Sequence, residues 1–124
     1  QAAIEAGAVR ACHDLSEGGL AAAAAEMAFA GAVGVEIDLK TCPQAAGAAA
    51  GDAALLFAED AGRFLVEVAP DRYDAFLRIV RDCPIGELGR VTDTGRIVLR
   101  HAGRTLVDLP AADAKAAWKR TFDW

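Results

Sequence analysis

The chain is 124 residues long, 54% hydrophobic but only 6% aromatic, and carries 13 basic against 18 acidic side chains for a net charge of −5. That length fits one domain with a core of Leu, Val, Ile and a few Phe, and the lack of any Lys/Arg cluster argues against a nucleic-acid partner, since phosphate binding needs grouped basic side chains. No apolar run is long enough to span a membrane, because the alanine-rich stretch from Leu20 is interrupted by Glu26, and no signal-peptide pattern is visible.

Ile4 and Val9 flank Gly7 at what reads as the end of a helix, and the start Gln1-Ala2-Ala3-Ile4, without an initiator Met, reads as a domain excised from a larger chain. Val9–His13 is expected to be a strand that enters a turn at Asp14–Gly19. Gly19–Ala30 is rich in alanine, the strongest helix former, and Gly31 is placed to stop that helix. Val33, Val35, Ile37 and Leu39 alternate with Gly34, Glu36 and Asp38, which predicts a half-buried strand. Residues 40–51 read as a loop or short helix, and Asp52 is placed to cap a helical turn over Ala53–Phe57.

Phe64–Val68 reads as a strand and Arg72–Arg81 as a helix whose stripe Tyr73, Phe76, Leu77 and Val80 is expected to face the core. Three short strands follow over Ile85–Val91, Arg96–Arg100 and Thr105–Leu109, the last two as a hairpin. Pro110 ends them, and Ala111–Phe122 is a final helix carrying Trp118. The mixed order predicts a single α+β domain over 1–124, a mixed β-sheet with packed helices. Cys12, Cys42 and Cys83 are odd in number and form no C-x-x-C pair, which argues against zinc and for reduced thiols in the cytoplasm.

His13-Asp14-Leu15-Ser16-Glu17-Gly18-Gly19 stands where a strand hands over to a helix. Gly18 and Gly19 would permit close backbone approach, and the helix start offers free N–H groups with the positive end of its dipole. Ser16 adds a hydroxyl, Asp14 a carboxylate able to hold Mg²⁺, and His13 a group for phosphate bonding or proton transfer. The same residues allow a structural reading: Ser16 or Asp14 as a helix cap, the glycines as a tight turn, His13 as a satisfied, partly buried side chain. The segment is not a P-loop, because no G-x-x-x-x-G-K-[ST] is present.

The stretch His13–Leu20, continuing into Ala25-Glu26-Met27-Ala28-Phe29-Ala30-Gly31, resembles the H-D-x-S-[DE]-G-G-L…A-E-M-A-F-A-G segment of the phosphoribosylformylglycinamidine synthase family. Phe57-Ala58-Glu59-Asp60 with Gly62-Arg63-Phe64 is similar to that family's F-x-E-x-x-x-R-[FY], and Ile85–Val91 to its I-G-x-V segment. The first motif is shared more loosely with aminoimidazole ribonucleotide synthase, selenophosphate synthetase, thiamine-monophosphate kinase and a hydrogenase maturation factor.

The resemblance implies an aminoimidazole ribonucleotide synthase carboxy-terminal-domain-like fold, here the carboxy-terminal half of the second of two repeats. It implies a cytoplasmic, ATP-dependent ligase of purine biosynthesis. ATP would phosphorylate the amide oxygen of formylglycinamide ribonucleotide, and glutamine-derived ammonia would then displace phosphate to give the amidine. The partners implied are the remaining domains of the same chain and a glutaminase subunit or domain; the end Ala114–Lys119 resembles the short form, where that subunit is separate. By position the resemblance assigns Asp14 to Mg²⁺ and Ser16 to ATP or ADP, with Gly18, Gly19 and His13 in support. It implies an inactive domain in isolation, and a contiguous apolar patch where sister domains would sit.

Among other candidates, Glu59 and Asp60 beside Arg63 read as a surface ion pair or a domain contact. His101 reads as a solvated residue at a hairpin turn, and Trp118 and Trp124 as helix packing.

Overall fold

The computed structural model describes residues 1–44 and 50–120. Its elements are α1 (Ala2–Glu5), β1 (Ala11–Asp14), α2 (Gly19–Gly31), β2 (Gly34–Asp38), α3 (Asp52–Phe57), β3 (Phe64–Glu67), α4 (Tyr73–Ile79), β4 (Gly89–Thr92), β5 (Arg96–His101), β6 (Arg104–Pro110) and α5 (Ala111–Arg120). Single 3₁₀ turns lie at Leu39–Thr41 and Pro70–Arg72. The α+β class is as expected, but the strands divide into two sheets rather than one. One is an antiparallel ribbon of β1 and β3, the other a four-stranded sheet in the order β4-β2-β5-β6. Within the latter, β2 runs parallel to β5 and antiparallel to β4, and β5 and β6 form the expected hairpin.

Alanine gives α2 its place in the molecule. Leu20, Ala23, Ala24 and Ala28 are buried, and the short alanine side chains let the helix lie close to α3, α5 and the strands β1, β2, β3 and β5. Val35 and Ile37 of β2 stand beside Ile97 and Leu99 of β5 and complete this core with Leu15, Leu39, Leu55 and Leu56. Alternation along β2 thus sorts side chains as the sequence suggests. Trp118 of α5 packs on Phe29 with ring centroids 5.9 Å apart, the helix-packing role expected of it. Trp124, the end of the expected last helix and part of the 40–51 loop lie outside the described residues.

Several boundaries differ for local reasons. Helix α2 runs through Gly31 and is closed by Ala32, which adopts a left-handed φ of 53° and donates its N–H to the Ala28 carbonyl. Gly51, not Asp52, is the N-cap of α3; the Asp52 carboxylate turns instead to His101 and Arg104. Strand β4 begins only at Gly89, because residues 85–88 pack against the turn at Leu39–Thr41. A Cβ on Gly86 would lie 1.9 Å from the Thr41 carbonyl oxygen. Helix α4 is shorter than its pattern suggested and buries no residue; Tyr73, Phe76, Leu77 and Val80 are only half-buried and stand outside the main core. His101 is not solvated: its Nδ1 lies 2.7 Å from Asp52 Oδ1.

Candidate functional site

The His13–Gly19 segment is held from below by its apolar residues. Leu15 and Leu20 are buried in the core, which fixes both ends of the loop between β1 and α2. Asp14 stands directly across from Phe64 in the β1–β3 ladder, and the Leu15 N–H continues the pairing to the Arg63 carbonyl at 3.1 Å. Alternation on β1 sends His13 toward α2 and Asp14 to the opposite, open face.

His13 ties β1 to α2. Its Nδ1 lies 2.7 Å from the Asp14 carbonyl and its Nε2 lies 3.0 Å from Glu26 Oε2. Both neighbours are acceptors, so each ring nitrogen must carry a proton for both bonds to form. The Asp14 carbonyl and then the Glu26 carboxylate raise the imidazole above its ordinary value. A ring so engaged is a clamp, poorly suited to exchange protons with a substrate.

Asp14 and Ser16 are both exposed. The Ser16 hydroxyl is the largest influence holding the Asp14 carboxyl below the usual carboxylate range. Neither caps the helix: the N-cap is Gly18, with no side-chain cap bond. Phe64 across from Asp14 is 61% exposed, and Phe57, at the end of α3, is 56% exposed.

The glycines answer to the protein itself. Gly18 and Gly19 both have left-handed φ, 74° and 62°. A Cβ on Gly19 would come within 2.8 Å of the Leu56 carbonyl oxygen and the Phe57 backbone. At Gly19 the close backbone approach is made by the end of α3, whereas a Cβ on Gly18 would meet the Ala22 side chain of its own helix. The helix start is also engaged: the Gly18 N–H donates to Glu59 Oε1 at 2.8 Å. Glu59 is thus not an ion-pair partner of Arg63, which bonds Asp60 at 3.1 Å. Sequence reasoning placed Glu59 on the surface and missed this role. Its position two residues after Phe57 in the F-x-E segment was the available signal.

Among the described residues no group of three or more His, Cys, Asp or Glu side chains could enclose a metal ion. Mg²⁺ typically binds proteins through one or two carboxylates and fills its remaining positions with phosphate and water oxygens. Asp14, exposed and held ionised, fits one such ligand and no more. Two grooves mark the surface nearby. The larger, about 480 Å³, runs between β1 and β4 over α2; the other, about 320 Å³, lies on the face of β2, β4 and β5. Neither is lined by Asp14 or Ser16. Among the described residues no helix is long and apolar enough to cross a membrane.

Residues 1–102 match the family described as AIR synthase related protein, C-terminal domain. The chain is 36% identical over 93% of its length to the phosphoribosylformylglycinamidine synthase subunit PurL of Acidiphilium cryptum, of which it spans 16%. It is 37% identical over 92% of its length to that of Corynebacterium aurimucosum, spanning 14% of it. In structure it is similar to Thermotoga maritima PurL complexed with ATP, with a TM-score of 0.78 and 21% identity, covering 90% of this chain and 19% of that one. The same protein has been solved complexed with FGAR and with ADP. The described architecture and the match over residues 1–102 lead to one conclusion: this chain belongs to the AIR synthase related protein C-terminal domain family.

Proposed function

We propose that the chain is one domain of a phosphoribosylformylglycinamidine synthase, the ligase that converts formylglycinamide ribonucleotide, ATP and glutamine-derived ammonia to the amidine in cytoplasmic purine biosynthesis. The observation that carries this reading is the similarity to PurL subunits along nearly all of the chain, 36% over 93% of it in one case. In this reading it is the carboxy-terminal half of the second repeat, works with the remaining domains and a glutaminase subunit or domain, and is inactive alone. Its contribution is to close one side of a nucleotide or substrate cleft. Asp14 and Ser16, both outward-facing, are the groups it presents, Asp14 as one ligand of Mg²⁺ and Ser16 toward ATP or ADP. Gly18, Gly19 and His13 shape the loop beneath them.

A second, purely structural reading has its own observation. The Glu59 carboxylate already occupies the Gly18 N–H, where a phosphate oxygen would bind. One experiment addresses both. The full-length synthase is assayed for amidine formation from formylglycinamide ribonucleotide, ATP and ammonia, with and without Asp14→Ala and Ser16→Ala, and Mg²⁺-ADP binding is measured by calorimetry. Loss of ADP affinity with an unchanged melting temperature supports the ligand role. Unchanged ADP affinity with normal turnover supports the structural one, and an enzyme that forms no amidine at all would overturn the assignment to this synthase.

A further inference from the structure

The larger groove separates two open strand edges, and α2 forms its floor. Ala11 and His13 of β1 line one side and Val91 of β4 the other, with Met27 and Phe29 of α2 between them. The ladder registers fix which backbone groups face it. Leu15 pairs with Arg63 through its N–H, so in β1 the alternate residues Cys12 and Asp14 direct their N–H groups away from β3. Asp38 donates to the Leu88 carbonyl, so in β4 the alternate residues Gly89 and Val91 direct theirs away from β2.

We infer that this groove receives an extended segment from another part of the synthase, which pairs with the outer edges of β1 and β4 and joins the two sheets into one. This rests on the reading of the chain as one domain of a longer enzyme; the PurL relative from Acidiphilium cryptum is matched over only 16% of its length, so ample chain exists to supply a strand. Four features select a strand over another occupant. Open edges offer N–H and C=O groups at strand spacing, which a helix cannot pair. A ribbon of two strands is marginal alone and gains from a third. Helix α2 already packs beneath both sheets, so an added strand finds a ready layer. The lining is mainly apolar, with Ala11, Met27, Phe29 and Val91 beside the ionisable His13, Glu26 and Glu67, so the occupant should present mostly apolar side chains at every second position, toward α2.

The test is hydrogen exchange in the full-length synthase, read at single residues by fragmentation mass spectrometry, on a preparation also assayed for amidine formation. The His13 and Arg90 amides, which point into the existing ladders, serve as internal references. Strand addition is expected to slow the Cys12 and Val91 amides by at least about 100-fold relative to a free edge, with Asp14 and Gly89 following. Fast exchange at Cys12 and Val91 in an enzyme that forms amidine overturns the inference and leaves the functional reading standing. Protection in a chain without that activity does the reverse. Protection that disappears when an oligomer is diluted to monomer identifies a second copy as the occupant and also overturns the inference.

Discussion

Replacing Gly19 with alanine asks whether the glycine pair serves the fold or a ligand. The backbone at Gly19 has φ of 62°, a left-handed conformation that costs an L-residue with a Cβ about 1–2 kcal/mol. The new methyl would also meet the Leu56 carbonyl oxygen and Phe57 Cα at 2.8 Å. These are backbone atoms of a helix end anchored by buried Leu55 and Leu56, so they cannot rotate away as a side chain would. Overpacking of that kind adds roughly 1–3 kcal/mol. The sum, about 2–5 kcal/mol, is a large part of the stability of a typical domain, about 5–15 kcal/mol, and for a chain of this size lowers the melting temperature by about 8–20 °C. Urea unfolding followed by tryptophan fluorescence measures it. A destabilisation below about 1 kcal/mol, together with lost nucleotide binding in the full-length enzyme, would refute the structural account and return Gly19 to a ligand-contact role.

Other outcomes are as specific. Glu59→Ala removes the acceptor of the Gly18 N–H and should cost about 0.5–2 kcal/mol, as loss of a helix cap does; if Glu59 instead obstructs a phosphate, nucleotide affinity in the full-length enzyme should rise, and calorimetry reads that separately. His13 has a raised folded-state pKa, so its contribution to stability is complete below about 6.5 and is lost as pH rises through the raised value. The stability difference between the wild type and His13→Gln should therefore shrink from pH 5.5 to pH 9, and a difference that grows would contradict the clamp. In the β5–β6 turn Ala102 has φ of 50° before Gly103 at 76°, the pattern of a type I′ turn that prefers Asn-Gly. Ala102→Asn should stabilise by about 0.5–1 kcal/mol in urea unfolding.

What the sequence disclosed follows the range of the forces involved. Helix α2 was readable because alanine favours a helix with no outside help, and β2 because its alternation records a single buried face. The β5–β6 hairpin was readable from a local turn. What was hidden depends on partners distant in the chain. Nothing near His101 announces Asp52, and Glu59, 41 residues from Gly18, was marked only by its own F-x-E segment. Asp52 looked like a cap because caps are the usual local use of such a residue, but a histidine and an arginine on the far hairpin claim it first. The stripe on α4 had helical spacing but is only half covered and stands outside the main core, and periodicity reports amphipathicity without naming the partner. At the candidate site the motif located Asp14 and Ser16 on the surface-facing loop, but only the approach of α3 explains Gly19.

The strand order also governs how quickly this chain can find its fold. Among the described strands β5 and β6 are the paired neighbours joined by a tight turn, so that hairpin is the sheet contact reachable within microseconds. Every other pairing closes a long loop: β1 waits for β3, and β2 must be enclosed by β4 on one side and β5 on the other, both made much later in synthesis. Until those segments emerge from the ribosome, the alanine-rich α2 can form alone but has little to rest on. The apolar face of α2 therefore stays partly uncovered until β3 and β5 have been made.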